Sequence, residues 1–322
     1  QFDDKTSYLS PAPLYHAAPL RYNMAVQQLG GTCVIMENFD PETALALIEK
    51  HKISHSQWVP TMFVRMLKLD SAVHERYNLS SHQCAIHAAA PCPVEIKQQM
   101  MSWWGPILWE YYAGTERNGI CVIGPQDWLA HPGSVGRAYN SVLRICDENG
   151  EELTAGEEGM VYFEQNVRSF EYHNAPDKTR AATHPIHDNW TSLGDVGYVD
   201  KEGYLYLTDR KAYMIISGGV NIYPQETDDV LLQHPAVSDC CTVGVPNEEW
   251  GEEVKSVVML NAGFHADQSL IDELITFTRE QLPAFKCPRT VEFVDDLPRL
   301  PSGKIQRRIV REPYWAGRQK QI

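Results

Sequence analysis

The chain has 322 residues, 43% of them hydrophobic and 22% charged, an ordinary globular composition long enough for two domains. Its 28 Lys and Arg face 42 Asp and Glu, a net charge of -14, so nucleic acid is not expected as a partner. No apolar run approaches the roughly 20 residues that cross a bilayer, and the first residues lack a charged-then-apolar export signal, so integral membrane association is not expected and a cytoplasmic location is.

The cysteines, at Cys33, Cys84, Cys92, Cys121, Cys146, Cys240, Cys241 and Cys287, follow no paired spacing and stand mostly in apolar company. They are expected to be reduced thiols that pack as small hydrophobes, and without a C-x-x-C pair structural zinc is not expected.

In chain order, residues 7–20 read as a Pro-rich aromatic loop with His16 at its tip. A lone histidine beside Tyr15 is more often a packed or capped residue than a catalyst. Residues 31–36 read as a buried strand, and Asp40-Pro41-Glu42 starts a helix running to about His51, with Asp40 as cap and Ala44, Leu45, Leu47 and Ile48 as its inner stripe. Strands at 54–59, 84–89 and 107–111 then alternate with helices at 60–69 and 94–104. Such alternation predicts right-handed β-α-β units and a parallel sheet, with ligand beyond the carboxyl ends of its strands. Two loops fall there. His87, Ala88, Ala89, Ala90 and Pro91 offer a flat surface of small groups; Tyr112, Ala113, Gly114, Thr115 and Glu116 offer an aromatic face, a hydroxyl and a carboxylate.

After Glu116 the pattern changes to short alternating strands at 141–146, 160–163 and 204–207, with a turn at Glu148-Asn149-Gly150. Further on, helices at 224–233 and 269–281 and strands at 238–245, 253–260 and 290–294 describe a small α+β domain, followed by a Pro- and Gly-marked loop and a basic tail. The predicted fold class is α/β: a parallel-sheet αβ unit over 1–125 and a β-rich subdomain over 126–209, together one large domain 1–209, then a C-terminal domain over 210–322 with a hinge near 210–212. Between the two parts, an acidic loop ends at Asp195, a short strand delivers Asp209-Arg210, and Gly218-Gly219 gives either a hairpin turn or a place for close backbone approach to a ligand.

The wording of that junction is more specific than its chemistry. TSLGDVGYVDKEGYLYLTDR and MIISGGVNIYPQE, with YLSPAPLYHAAPL, VPTMFVRMLKL, HAAAPCP, EYYAGTE, HPGSVGRA, FKCPR and LPRLPSGKIQRR in order, resemble the adenylate-forming superfamily of acyl-CoA synthetases, luciferases and peptide-synthetase adenylation domains. The resemblance covers nearly the whole chain and is strongest to bacterial fatty-acyl-CoA synthetases.

The resemblance implies ATP, Mg2+ and CoA acting with a small carboxylic acid. It implies that Lys304 bridges the attacking carboxylate and the α-phosphate, although a lysine in a Gly-flanked loop is by default only solvated. Thr115 would meet a phosphate oxygen, Glu116 the magnesium ion, and Tyr112 the adenine ring beside Ala89, Ala90 and Pro91; the alternatives are a helix cap, a surface carboxylate and a core tyrosine. Asp195 and Arg210 would hold the ribose, or else form a fastening ion pair. His16, Trp58, Val59, Met62, His87 and Ala88 would line the acyl path. In the second half-reaction the terminal domain would rotate, Lys304 would leave, and Gly218 and Gly219 would line the pantetheine tunnel. Ala113 stands where the family has Gly, and Ala212 where its pivot is Asp or Lys, which removes a polar latch from the hinge.

Other constellations compare poorly: His51 and His55 lack an acidic base between them, His184 and His187 lie in a loop without nearby cysteine, and there is no G-x-S-x-G elbow. The family's Ser/Thr/Gly-rich, Lys-containing phosphate loop would precede YLSPAPLYH, so a fragment or truncated form is expected, one with reduced activity and an exposed apolar surface favouring homo-oligomers. The alternatives are an aryl or other acid ligase, a carrier-loading adenylation module, and an inactive nucleotide-binding module.

Overall fold

The computed structural model describes residues 2–210, 213–299 and 305–316, and the side chains of Asp209 and Arg210 lie outside that description. The chain forms two compact units, one of Gln1–Leu193 with Gly197–Leu207, the other of Gly194–Val196 with Thr208–Ile322.

The first unit is built on a seven-stranded sheet of β1 (Ser7–Ser10), β2 (Thr32–Ile35), β3 (His55–Trp58), β4 (Cys84–His87), β5 (Leu108–Ala113), β6 (Ile120–Ile123) and β7 (Arg137–Tyr139), in spatial order β2-β1-β3-β4-β5-β6-β7. The five strands from β2 to β5 run parallel; β6 and β7 are antiparallel additions. Parallel strands need crossovers, supplied by α1 (Ala17–Gln28), α2 (Pro41–His51), α3 (Pro60–Leu67), the single turn α4 (Ser71–His74) and α5 (Val94–Trp104). Asp40 caps α2 by accepting from the Thr43 amide at 2.8 Å, Pro41 fills the first position, and Ala44, Leu45 and Ile48 are buried. These meet Leu9, Phe63, Met66 and Met100 in the main core.

The stretch 7–20 departs from the expected loop. Ser7–Ser10 is an interior strand, paired with β2 on one side and β3 on the other, and Tyr8 and Leu9 are fully buried. Pro11 and Pro13 end the strand rather than define a loop, and Pro19 sits in the first turn of α1, where a missing N–H leaves no helical bond unmade. The abundance of proline concealed a short strand and the start of a 12-residue helix.

After α6 (Pro125–Ala130), a second sheet holds β8 (Val142–Cys146), β9 (Gly159–Glu164), β10 (Trp190–Thr191), β11 (Asp195–Val199) and β12 (Leu205–Arg210). The connection from β9 to β10 carries α7 (Pro176–Ala181). The turn into Gly150 forms as expected: Asp147 Oδ1 accepts from the Asn149 and Glu151 amides, both at 2.8 Å. Phe163, Val161 and Ile145 of this sheet pack with Cys121 of β6.

The second unit contains β13 (Ile215–Ser217), β14 (Val220–Ile222), β15 (Val237–Asn247), β16 (Gly251–Leu260) and β17 (Thr290–Phe293), in order β14-β13-β16-β15 with β17 parallel to β16. α8 (Pro224–Leu231) and α9 (Gln268–Gln281) cover one face through Leu231, Leu270 and Leu274; Val310 of α10 (Arg307–Arg311) packs with Val243 and Val257. All eight cysteines are free thiols. Among the described residues, no helix is long and apolar enough to cross a membrane.

Candidate active site

Parallel pairing aligns the carboxyl ends of β1, β3, β4 and β5 along one edge of the sheet, and most of the sequence-predicted site residues follow those ends. His16 stands after β1, at the N-cap of α1, with its ring 4.6 Å from that of Tyr15 and its Nε2 buried without a hydrogen-bond partner. Val59 follows β3 and caps α3. Ala88, buried, follows β4, and its amide reaches the Trp58 carbonyl at 3.4 Å. Ala89 is exposed and holds a left-handed φ of 79°, an uncommon conformation for a residue with a Cβ. Ala90 is half-buried and Pro91 exposed.

Thr115 and Glu116 occupy the tip of the hairpin between β5 and β6, in a turn closed by the Arg117 amide on the Gly114 carbonyl at 3.2 Å. Gln165 braces this hairpin by donating to the Asn118 carbonyl at 2.6 Å and the Arg117 carbonyl at 3.1 Å. Tyr172 donates its hydroxyl proton to Glu116 Oε1 at 3.0 Å. Thr115 is exposed; Tyr112, at the end of β5, is half-buried with its ring 6.0 Å from that of Phe163.

Beneath the edge lies a row of buried polar groups. In register, Trp58 pairs with His87 and His87 with Glu110, so the three side chains share one face. Trp58 is wholly enclosed, its indole N–H donating to Ser56 Oγ at 2.5 Å, and Met62 is likewise core. Lys97 on α5 reaches Glu110 Oε2 at 2.5 Å and lies 4.6 Å from the centroid of a Trp128 ring. His87 Nε2 stands 3.5 Å from the same carboxylate oxygen, yet neither ring nitrogen makes a hydrogen bond. Burial, with the Lys97 charge adding to it, holds the His87 pKa well below the ordinary histidine range, so the ring is neutral. Burial lowers Lys97 and raises Glu110, and their contact opposes both shifts.

Asp195 is buried at the start of β11 in the second unit. Gly218 and Gly219 form the two-residue turn between β13 and β14, with φ of 57° and 80°, the mirror-image turn geometry that only glycine accepts freely at both positions. The Arg210 side chain, Ala212 and Lys304 lie outside the described residues.

Sequence reasoning did not single out Lys97, Glu110, Gln165, Asn118 or Tyr172. Lys97 left a trace, since it interrupts the apolar stripe of Ile96, Met100 and Met101 on α5. Tyr172 left none, because its partner lies 56 residues away.

Glu116 suits a magnesium ion that arrives with a nucleotide. Magnesium keeps water and phosphate ligands and takes only one or two carboxylates from a protein. One oxygen of Glu116 is held by Tyr172, and among the described residues no cluster of three or more His, Cys, Asp or Glu offers a self-sufficient metal site.

An α/β core with a β-rich part and a small α+β unit is shared with solved adenylate-forming structures. ATP-bound MatB from Rhodopseudomonas palustris is similar at a TM-score of 0.83 and 28% identity, over 97% of this chain and 61% of that one. The family model described as "AMP-binding enzyme" matches residues 1–169, and that of the "AMP-binding enzyme C-terminal domain" matches residues 226–304. The chain belongs to the AMP-binding enzyme family. A long-chain-fatty-acid–CoA ligase of Bacillus subtilis is 33% identical over 94% of this chain and 53% of its own length, and a feruloyl-CoA synthase of an Amycolatopsis species is 32% identical over 95% and 61%. The chain thus spans a little over half the length of these curated relatives, whose acids differ.

Proposed function

We propose that this chain carries the acid-activating and thiol-transfer machinery of an ATP-dependent acyl-CoA synthetase acting on a fatty acid. In the first half-reaction a carboxylate oxygen attacks the α-phosphate of ATP, the bond to the β-phosphate breaks, and acyl-adenylate and pyrophosphate result. In the second, the CoA thiol attacks the acyl carbonyl, AMP leaves, and the thiol proton passes to solvent.

The observation that carries this reading is the convergence of Val59, residues 88–91 and residues 112–116 on one sheet edge, with Glu116 held by a hydrogen bond from Tyr172. Two anions must meet there, and the chemistry needs groups that neutralise charge as it develops. Tyr112 offers a face for adenine, Ala89, Ala90 and Pro91 a small-residue wall, and Thr115 a hydroxyl for a phosphate oxygen. Glu116 would hold magnesium, which when bound screens the phosphates and polarises the α-phosphorus. We assign Asp195 and Arg210 to the ribose, Lys304 to the approaching carboxylate and α-phosphate, and His16, Val59 and Ala88 to the acyl path. Of the residues assigned from sequence, Trp58, Met62 and His87 would shape that path from within the core. For the second step we assign the terminal part from residue 210 onward a rotation about 210–212 that exchanges Lys304 for Gly218 and Gly219. An enzyme of this type works where ATP and CoA are supplied, in the cytoplasm.

The fatty-acid reading draws on the Bacillus relative; the Amycolatopsis relative favours an aryl acid as a second reading. Mass spectrometry of CoA thioesters formed from a mixed pool of fatty and aryl acids with ATP, magnesium and CoA decides between them. Products that disappear with Lys304→Ala and Glu116→Gln support the synthetase reading, and their masses name the acid. A parent chain that binds ATP and forms no thioester from any acid refutes it.

A further inference from the structure

The hydrogen bond from Tyr172 to Glu116 joins two segments distant in sequence: the tip of the β5–β6 hairpin and the entry to α7. Tyr172 is itself fastened. Its amide donates to Thr179 Oγ1 at 2.9 Å, the Thr179 hydroxyl reaches the Ala175 carbonyl at 3.2 Å, and the Lys178 ammonium lies 4.0 Å from the centroid of the Tyr172 ring. Thr179 is buried, so the anchor is protected from solvent. Glu116, by contrast, stands on a turn whose other side chain, Thr115, is exposed. A glutamate there has three freely rotating side-chain torsions unless something holds it, and the one hydrogen bond it makes among the described residues is the one from Tyr172.

We infer that Tyr172 is a positioning residue for the Glu116 carboxylate, holding Oε1 so that Oε2 is left for the divalent cation that accompanies ATP. The inference rests on the metal-holding role proposed above for Glu116. The phenol needs to transfer no proton; it donates one hydrogen bond and keeps it. What it supplies is orientation, the same service that outer-shell partners give to metal-ligating carboxylates elsewhere. Lys178 over the ring, and Thr179 beneath the backbone, keep the phenol from following the carboxylate if that side chain rotates.

The test is a titration of Mn2+ into the full chain in the presence of α,β-methylene-ATP, read by electron paramagnetic resonance, which needs no turnover. Tyr172→Phe removes one oxygen and keeps the ring, and it should weaken Mn2+ binding roughly tenfold. Its thermal unfolding, and its nucleotide binding in excess chelator, should match the parent. Parent-like Mn2+ affinity in Tyr172→Phe, alongside weakened affinity in Glu116→Gln, overturns the inference and leaves the reading of Glu116 standing. Parent-like affinity in Glu116→Gln overturns the reading of Glu116 and the inference with it.

Discussion

Lys97 and Glu110 meet at 2.5 Å in the interior of the first unit, the lysine wholly removed from solvent and the glutamate nearly so. Helix α5 supplies one and strand β5 the other, so the pair ties the helix that follows residues 88–91 to the strand that carries Tyr112. Removing one partner strands the other as a buried charge. Lys97→Met should therefore cost about 3–5 kcal/mol, whereas Lys97→Met combined with Glu110→Leu should come close to the parent. Urea unfolding of both variants checks this, and a double variant no better than the single one would show that the ion pair is not the source of the loss.

Acid should weaken the fold before any carboxylate in a surface pair is protonated. Burial first, and the nearby His55 second, push His82 down to about 3 from an ordinary 6.5, and its Nε2 lies 2.6 Å from Ser56 Oγ. Between those two values the unfolded chain binds more protons than the folded one, so stability rises with pH across that window and is complete above it. The buried neutral His87 acts in the same direction. Lowering the pH from 7.5 to 5 should cost about 2 kcal/mol through His82 alone. Urea midpoints at the two pH values measure the loss, and His82→Gln should reduce it by the His82 share, leaving that of His87.

Ala89 is held at a φ of 79° in the loop after β4. A Cβ in that region costs about 1–2 kcal/mol, and glycine's added freedom in the unfolded chain costs about 0.5–1 kcal/mol. Ala89→Gly should therefore leave the thermal midpoint unchanged or raise it slightly, while Ala89→Val should lower it. A glycine variant less stable than the parent by more than about 1 kcal/mol would contradict this balance.

Of the free thiols, Cys33, Cys84 and Cys92 are half-buried, and the other five are buried. Burial raises the thiol pKa of Cys84 and Cys146 to about 11 and that of Cys121 and Cys241 to about 12. Thiolates are the reactive form. A disulfide reagent at pH 8 should label at most three thiols in the native chain, and all eight in guanidinium. Rapid native labelling of Cys240 or Cys241 would show that the second unit opens.

Two glycines side by side should respond differently to the same change. A Cβ on Gly219 would meet nothing within 4 Å, so Gly219→Ala should lose only the roughly 1–2 kcal/mol of backbone strain. A Cβ on Gly218 would lie 2.4 Å from Trp250 Cε3, so Gly218→Ala must also displace a tryptophan and should lower the thermal midpoint further. Equal midpoints would mean that Trp250 yields without cost.

Much of this architecture is legible in the sequence because its signals are local. The Asp40-Pro41 start of α2, the Pro60 start of α3, the Val94–Trp104 helix and the turn at Gly150 each depend on residues within a turn or two of one another. The Ser7–Ser10 strand was missed for the converse reason. Four residues directly ahead of Pro11 and Pro13 carry too little pattern, and what makes them a strand is pairing with β2 and β3, more than 20 and 40 residues further along.

By itself the sequence determined the alternation of strands and helices, the order of the family's segments, and therefore the loops in which a ligand would be held, since periodicity and turn chemistry are properties of short stretches. Only the tertiary structure decided which of those residues are exposed along the sheet edge and which are core. It enclosed Trp58, set neutral His87 against Glu110, buried Lys97, and brought Tyr172 onto Glu116 across 56 residues. Burial and distant hydrogen bonds depend on where chain segments meet, and no local pattern of residues encodes that meeting.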